Sequence, residues 1–486
     1  MAQLCSIEVP AGAELADLLF ERGVEFPCGG TSLCGGCRVR VVEGDIGVTS
    51  DMHAVLTPQE IEAGWRLACQ SHARGRVTLE IEQWETPILG DETRVPFEPR
   101  EGFGVAIDLG TTTLVAQLLD FATGDVLAVR TALNPQCAHG ADVMSRVQFA
   151  LHEPEALTRA IRQGLAELVH DLAGNREVNE VLVCGNTVMH HLFCGEEVEP
   201  LSHVPFESPA GGAREFAAEE LDWQLGHACP VRFLPCLGSF VGSDILAGMA
   251  AIDWMSRDAL VALIDLGTNG EIVLGNRHGA LCASTAAGPA FEAGRISMGM
   301  RAAPGAISRV TPKDGGFACH VLGARAARGI CGSGLVDPVA AALQLGRILP
   351  TGRLADVTEE LELMAPVSVT QSDIRELQLA KGAIAAGLRI LLDRWGATVD
   401  QLERVYLAGA FGNYVNASSA HRIGLLELPP EKVEPAGNTA LRGTKILLLG
   451  PSRRLGLIGQ ITRLTQHISL ASDPHFQDVF VDCMRF

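Results

Sequence analysis

The chain has 486 residues, a hydrophobic share of 47%, a charged share of 20% and a net charge of −20. This length predicts more than one domain, and the composition is ordinary for a globular protein with a sizeable core. The acidic charge argues against nucleic acid as a partner, no apolar run is long enough to cross a bilayer, and the first residues do not resemble a signal peptide, so we expect a cytoplasmic protein without a membrane segment.

A set of cysteines lies near the N-terminus. Cys28, Cys34 and Cys37 occupy a glycine-rich stretch with five and then two residues between them, and Cys69 follows after thirty-one more. Thiolates on such a loop, with a distant fourth ligand, suit a [2Fe–2S] cluster, because the glycines let backbone amides point at the sulfurs. A zinc site is the alternative, although zinc sites more often pair two C-x2-C units.

The residues around these cysteines predict a small α+β domain of the β-grasp type. Residues 6–9, 39–42 and 76–82 alternate like strands, and residues 15–22 place their leucines on one face of a short helix. We therefore predict a ferredoxin-type domain over residues 1–85. Residues 86–102 contain three prolines and predict an extended linker that would let an electron carrier swing.

One pentapeptide, Ile-Asp-Leu-Gly-Thr, occurs twice, at 107–111 and at 264–268, each time between strand-like runs. This arrangement predicts two β-hairpins whose glycines allow close approach to a ligand. Turn amides and Thr hydroxyls can surround phosphate oxygens, and an Asp at a strand end can hold Mg²⁺ through waters. Two such hairpins facing each other would grip one polyphosphate from both sides.

The rest of the chain supports a duplicated α/β domain over residues 103–450, with halves of roughly 103–258 and 259–450. Each hairpin is followed by an amphipathic helical stretch, at 155–173 and at 374–395. Each helix precedes an apolar run that ends in a glycine turn, at 181–187 and at 405–413. Residues 451–486 form a C-terminal extension for which the sequence suggests no role.

These motifs resemble the acetate and sugar kinase/Hsp70/actin superfamily, whose fold is a duplicated ribonuclease-H-like α/β domain. Fused to a [2Fe–2S] ferredoxin, the chain resembles the reductive activators of corrinoid enzymes. The stretches that carry this second resemblance are residues 184–191, 284–292, 299–307 and 328–337. The resemblance implies an ATP-dependent transfer of one electron that returns inactive Co(II) to Co(I).

The resemblance also implies roles for individual residues. The cluster would be held by Cys28, Cys34, Cys37 and Cys69; Mg²⁺ and water by Asp108 and Asp265; the phosphates by Gly110, Thr111, Thr112, Gly267, Thr268 and Asn269; and the nucleotide also by Gly409, Gly412, Gly332, Ser333 and Gly334. For Gly332 to Gly334, helix packing through small residues is an equal alternative. The implied partners are a corrinoid-binding protein or cobalamin-dependent methyltransferase and an upstream low-potential electron donor, and a homodimer is left open.

ATP is needed in this scheme for a thermodynamic reason. A plant-type [2Fe–2S] ferredoxin has a potential near roughly −400 mV, and the Co(II)/Co(I) couple in a protein is usually more negative. Each ~59 mV of uphill transfer costs one electron a factor of ten, or about 1.4 kcal/mol. ATP would act on a conformational equilibrium of the complex rather than as a phosphoryl donor.

Two other functions remain open at this point: a small-molecule kinase with a regulatory ferredoxin domain, and an electron-transfer or scaffold protein with a degenerate ATPase half. A kinase of this superfamily needs a base, for which the sequence offers no clear candidate. We also predict that Lys381 is a surface residue of an amphipathic helix. For His190 and His191 we predict one core and one surface side chain, because adjacent helical residues point in different directions.

Overall fold

The computed structural model describes residues 3–9, 15–20, 38–73, 75–81, 91, 93–140, 142–204, 206–207, 209–225, 229–293, 295–300, 302, 305–322, 326–355, 360–412 and 414–486. The N-terminal residues among these form the predicted small α+β module. Its four strands make one sheet in the order β1-β4-β2-β3, and every pairing in it is antiparallel. The elements are β1 (Gln3–Val9), α1 (Leu15–Phe20), β2 (Arg38–Glu43), α2 (Ser50–Val55), α3 (Pro58–Glu62), β3 (Trp65–Leu67) and β4 (Gly75–Ile81).

The first half of the large domain is a six-stranded mixed sheet with helices packed on it. The elements are β5 (Phe103–Leu109), β6 (Thr113–Asp120), β7 (Val126–Leu133), α4 (Val143–Ala150), α5 (Pro154–Ala173), β8 (Val178–Gly185), α6 (Thr187–Cys194), β9 (Arg214–Ala217), β10 (Pro230–Phe233) and α7 (Ser243–Ala251). The strand order is β7-β6-β5-β8-β10-β9, in which β5, β8 and β10 run parallel. The apolar runs of β5 and β8 are buried almost throughout, as both-faced burial in a parallel sheet requires.

The second half repeats this arrangement and adds inserted elements. They are β11 (Val261–Leu266), β12 (Gly270–Asn276), β13 (Gly279–Thr285), β14 (Ala306–Lys313), β15 (Gly316–Val321), β16 (Gly329–Ile330), α8 (Gly332–Gln344), β17 (Glu360–Met364), β18 (Val367–Thr370), α9 (Gln371–Trp395), β19 (Arg404–Ala408), α10 (Gly409–Gly412), α11 (Ala417–Arg422), β20 (Val433–Gly437), α12 (Thr439–Leu449), α13 (Pro451–Leu464), β21 (Thr465–His467) and α14 (Phe476–Cys483). The sheet order β20-β19-β11-β12-β13-β21 places a hairpin meander beside two parallel strands, as in the first half. The predicted duplication is thereby confirmed.

A hydrophobic cluster lies between the two sheets and joins the two halves of the large domain. It contains residues of both sheets together with most of the apolar face of α7 and α12. The two helices cross so closely that a Cβ on Gly443 of α12 would lie 1.7 Å from the carbonyl oxygen of Ala247 of α7. Each half also has its own core on the outer side of its sheet. Two helices that pack as one unit therefore join the two halves.

The end of the predicted linker is anchored to the large domain. The carbonyl oxygen of Asp91 accepts hydrogen bonds from Gln117 Nε2 and Lys445 Nζ, both at 2.7 Å. The backbone amide of Glu98 donates to the carbonyl of Leu449 at 2.8 Å. Residues 82–90, which include the start of the predicted linker, lie outside the described residues.

The C-terminal extension is part of the second half. Strand β21 pairs in parallel with β13 and forms the sixth strand of the sheet. Helix α14 packs on α9 through a small cluster that includes Ala385, Ala386 and Cys483. Across the described part of the chain, no helix combines the length and the apolar character that crossing a bilayer would require.

Candidate nucleotide and redox site

The first predicted hairpin has a tight turn between β5 and β6. The amide of Gly110 donates to the carbonyl of Thr113 at 3.1 Å, and a Cβ at position 110 would lie only 2.5 Å from that oxygen. Only glycine fits this turn. Asn134 supports it from the side, since its Nδ2 donates to the carbonyl of Gly110 at 2.9 Å and its amide donates to the carbonyl of Thr112 at 2.8 Å.

A second asparagine supports the same turn. Asn186 caps helix α6 by accepting from the amide of Met189 at 3.0 Å, and its Nδ2 donates to Thr111 Oγ1 at 2.9 Å. The glycine turn after β8 thus holds the Thr hydroxyl of the hairpin in place. Because Asn134 and Asn186 are far from the hairpin in sequence, only the folded chain reveals this support.

The second predicted hairpin is held by a different set of contacts. The amide of Gly267 donates to the carbonyl of Asn269 at 3.0 Å. Thr268 Oγ1 lies 3.2 Å from both carboxylate oxygens of Glu292, and the amide of Gly288 donates to the carbonyl of Thr268 at 2.9 Å. The stretch 284–292 is therefore bonded directly to this turn.

The carboxylates of the two hairpins lie near enough for the charge of Asp108 to act on Asp265. Burial raises the pKa of Asp108 to about 6, although its Oδ2 accepts a hydrogen bond from Asn438 Nδ2 at 2.9 Å. Burial and the negative charge of Asp108 raise the pKa of Asp265 to about 7. Both side chains keep partial solvent contact. Each carboxylate therefore lies in a low-polarity cleft where a cation would be favoured.

Two further acids, which the sequence did not single out, join this pair. Asp244 is at the start of α7, and burial followed by the charge of Asp265 raises its pKa to about 8. Glu271 follows the second turn, and burial together with Asp244 and Asp265 raises its pKa well above the ordinary value. A Gly-Ser-Asp run before an apolar helix was the available sequence signal for Asp244.

The predicted glycine motif after β19 lies beside the second hairpin. Gly409 has φ +81°, and a Cβ there would lie 2.7 Å from Asp265 Oδ1. A Cβ on Gly412 would contact the backbone of Leu407 at 3.1 Å. Between these glycines, Phe411 stacks on Phe291 with ring centroids 4.6 Å apart. The glycine turn is thus adjacent to the second carboxylate.

Gly332 and Gly334, in the first turn of α8, have a clear packing function. A Cβ on Gly332 would lie 1.8 Å from the carbonyl oxygen of Phe291, and one on Gly334 would lie 2.0 Å from that of Ile307. Ser333 Oγ lies 3.4 Å from Cys331 Sγ. Close backbone packing explains why glycine is needed at both positions. Nucleotide contact by residues 332–334 stays a prediction.

Comparison with known proteins identifies the family. Three family models match the chain: a 2Fe-2S iron-sulfur cluster binding domain over residues 3–74, the RACo middle region over 103–257, and the C-terminal ASKHA domain of RACo over 259–486. The corrinoid activation enzyme RamQ of Eubacterium limosum is 34% identical over 415 residues, which are 78% of this chain and 69% of that protein. The chain belongs to the reductive activators of corrinoid proteins.

Two more similarities support the assignment of the chain to this family. The Co(II) methylated amine-specific corrinoid protein reductase of Methanosarcina barkeri is 29% identical over 424 residues, covering 78% of this chain and 76% of that protein. A solved structure of a reductive activator for corrinoid, iron-sulfur protein is 26% identical, with a TM-score of 0.70, and covers 99% of this chain and 96% of that one. The family match includes residues 451–486, which the sequence left without interpretation.

The activator's predicted cluster ligands are only partly described. Cys69 is buried, with 8% exposure, in the short 3-10 turn Ala68–Gln70. Cys28, Cys34 and Cys37 lie outside the described residues. No three His, Cys, Asp or Glu side chains within the described ranges are placed to hold a metal ion directly.

Two side-chain predictions for the activator were wrong. Lys381 is fully buried on α9, not on the surface: its Nζ donates to the carbonyl of Arg485 and lies over the ring of Phe486. His190 and His191 are both buried, and neither is at the surface. The docking of the C-terminal residues on α9, and of the loop that carries Gly212 on α6, covers these side chains.

Proposed function

We propose that this protein uses ATP to move one electron from a [2Fe–2S] cluster to the Co(II) centre of a corrinoid protein, which regenerates Co(I). A cluster held by Cys28, Cys34, Cys37 and Cys69 would supply the electron that cobalt gains, and an upstream low-potential donor would replace that electron. The observation that carries the ATP-dependent half is that Asp108 and Asp265, from two hairpins of one chain, lie near enough for the charge of one to act on the other, with Asn438 bonded to the first and Gly409 packed on the second. The observation that carries the redox half is the [2Fe–2S] family match over residues 3–74.

The cleft supports the nucleotide roles predicted above. The turn amides and hydroxyls of the first hairpin, at Gly110, Thr111 and Thr112, would bind phosphate from one side, and Gly267, Thr268 and Asn269 would bind it from the other. Bound Mg²⁺ would supply positive charge to the phosphates. Asp108 and Asp265 would orient its waters, because their shared repulsion is relieved by a cation between them. Gly409 and Gly412 would let the nucleotide approach β19.

Asp244 is our candidate for the group that takes a proton from the attacking water. Its Oδ1 accepts from the amide of Ile245 at 2.8 Å, which fixes the carboxylate at the first turn of α7. A cation beside Asp265 would lower the pKa of Asp244 from about 8, so the carboxylate would be available as a base with MgATP bound. The cluster would be held by Cys28, Cys34, Cys37 and Cys69.

The identity of the partner is a finer part of the proposal. The relatives act on corrinoid proteins, and we propose that the partner is a corrinoid-binding protein or the cobalamin domain of a methyltransferase. A homodimer is a further proposal, which size measurement in solution tests.

Anaerobic absorbance of a Co(II) corrinoid protein, mixed with the reduced activator before and after MgATP, tests this function. We expect a Co(I) spectrum only after MgATP, and we expect Asp108→Asn to abolish it. Asp171→Asn, at an exposed position of α5, is the matched control and should behave as the wild type. ATP turnover without cobalt reduction in several corrinoid partners, with phosphate transferred to a small molecule, would favour the kinase alternative.

A further inference from the structure

Helix α12 holds the described end of the linker, residues 91 and 93–98, which we call the tether and which follows the small N-terminal module, called the redox module. Lys445 is fully buried, and its Nζ donates to the carbonyl oxygens of Asp91 at 2.7 Å and Thr93 at 2.8 Å. The same Nζ lies 3.4 Å from Asp91 Oδ1. A buried ammonium group is stable only when its donors are paired, so this lysine fixes the position of the tether strongly.

Two other contacts extend this anchor along the tether. The amide of Glu98 donates to the carbonyl of Leu449, the last residue of α12, at 2.8 Å. The Glu98 carboxylate accepts from the amide of Ser452 at 3.1 Å and also from its hydroxyl. The tether therefore follows the C-terminal end of α12 from Asp91 to Glu98.

The opposite end of the same helix is part of the nucleotide cleft. Asn438 is the N-cap of α12, with its Oδ1 accepting from the amide of Leu441 at 2.8 Å. Its Nδ2 donates to Asp108 Oδ2, a residue of the other half. At 1.5 Å per residue, Asn438 and Lys445 are only about 10 Å apart along the helix axis.

Helix α12 is also tied to the helix that carries Asp244. Gly443 packs directly on the backbone of Ala247 in α7, and Gly248 of α7 packs near Thr439 Oγ1. With no side chain between them, the two helices cannot shift separately without losing close contact. A change at the carboxylates would therefore displace α12 as a rigid rod.

We infer that Lys445 is a positioning residue that couples the nucleotide site to the tether of the redox module. The inference deepens the proposed function and rests on it: nucleotide binding at Asp108 shifts α12, and Lys445 transmits that shift to Asp91 and Thr93. The tether then presents the redox module to the corrinoid partner in one nucleotide state and withdraws it in the other.

Hydrogen exchange of the full-length protein tests the coupling without any corrinoid partner. In the wild type, MgADP and a non-hydrolysable MgATP analogue should give different exchange rates for the amides of residues 93–95, 97 and 98. In Lys445→Met these amides should exchange faster, and the difference between nucleotides should disappear. Equal exchange of residues 93–98 in both nucleotide states of the wild type would overturn the inference.

Cobalt reduction gives the second readout. We expect Lys445→Met to keep the kcat and KM of ATP hydrolysis but to slow ATP-dependent Co(I) formation by about tenfold, a typical coupling magnitude. Lys432→Met is the matched control, because Lys432 Nζ also donates to two carbonyls, those of Asp400 and Leu402, away from the tether. Undiminished Co(I) formation by Lys445→Met would also overturn the inference.

A milder variant covers the case in which Lys445→Met does not fold. Asp91→Asn removes the ionic contact and leaves the two carbonyl acceptors, so it should reduce the nucleotide response of residues 93–98 partially. Wild-type exchange in Asp91→Asn would then count against the inference. If the wild type reduces no cobalt at all, the proposed function fails while the exchange experiment still decides the coupling.

Discussion

Replacing Asp265 with Asn should stabilise the activator while removing its ATP-dependent activity. The raised pKa of Asp265, about 7, means that the folded protein binds a proton that the unfolded chain releases near its ordinary value of 3.8. The folded state therefore loses stability as the pH rises through this window, and the penalty is complete above the folded pKa. Asparagine has the same shape and carries no charge at any pH, so it avoids the penalty.

The size of the effect follows from the pKa shift. From 3.8 to about 7 the pKa shift is about three units, which correspond to about 4 kcal/mol at 1.4 kcal/mol per unit. Because the carboxylate keeps partial solvent contact, we expect the charged Asp265 to lower the free energy of unfolding by only about 1–2 kcal/mol. At high pH the free energy of unfolding of Asp265→Asn should then exceed that of the wild type by this amount, and it should change less with pH.

Denaturant midpoints of the large domain, measured without Mg²⁺ or nucleotide at several pH values, check this prediction. Asp171→Asn serves as the neutral control for the loss of one charge. Adding MgATP should stabilise the wild type and not the variant, because only the wild type binds the ligand tightly. An Asp265→Asn protein that is less stable than the wild type at high pH would refute the argument that the charged Asp265 destabilises the folded state.

Three further variants test separate parts of the molecule. Gly409→Ala should cost more than about 1 kcal/mol and weaken nucleotide binding, because φ is +81° and the new methyl would lie 2.7 Å from Asp265 Oδ1; a thermal melt and a nucleotide titration measure both. Glu180→Gln should destabilise by about 3 kcal/mol, since the buried carboxylate accepts from three arginines, and wild-type stability in denaturant would contradict this. Cys69→Ser should lose the visible absorbance of the cluster and keep ATP hydrolysis, whereas Cys319→Ser should keep both.

The two hairpins and their glycine turns could be predicted because their signals are local. An Asp-x-Gly-Thr turn between apolar strands has few alternatives, and the repeat of the pentapeptide at 107–111 and 264–268 already indicated the duplication. The supports of these turns, Asn134 and Asn186, could not be predicted from spacing. Asn134 reaches the first hairpin only after β7 has paired with β6, and Asn186 only after β8 has paired with β5.

The sequence by itself determined the order of domains, the strand-hairpin-helix pattern of both halves and the candidate cluster and phosphate residues, because periodicity, turn glycines and cysteine spacing act over a few residues. The tertiary structure decided which charges meet. Asp244 joins Asp265 and Glu271 only because α7 lies against the second sheet, and Lys445 reaches the tether only because α12 spans both halves. Contacts between distant segments depend on strand pairing and helix crossing, and the burial that shifts their pKa values or hides Lys381 does not exist until the chain is folded.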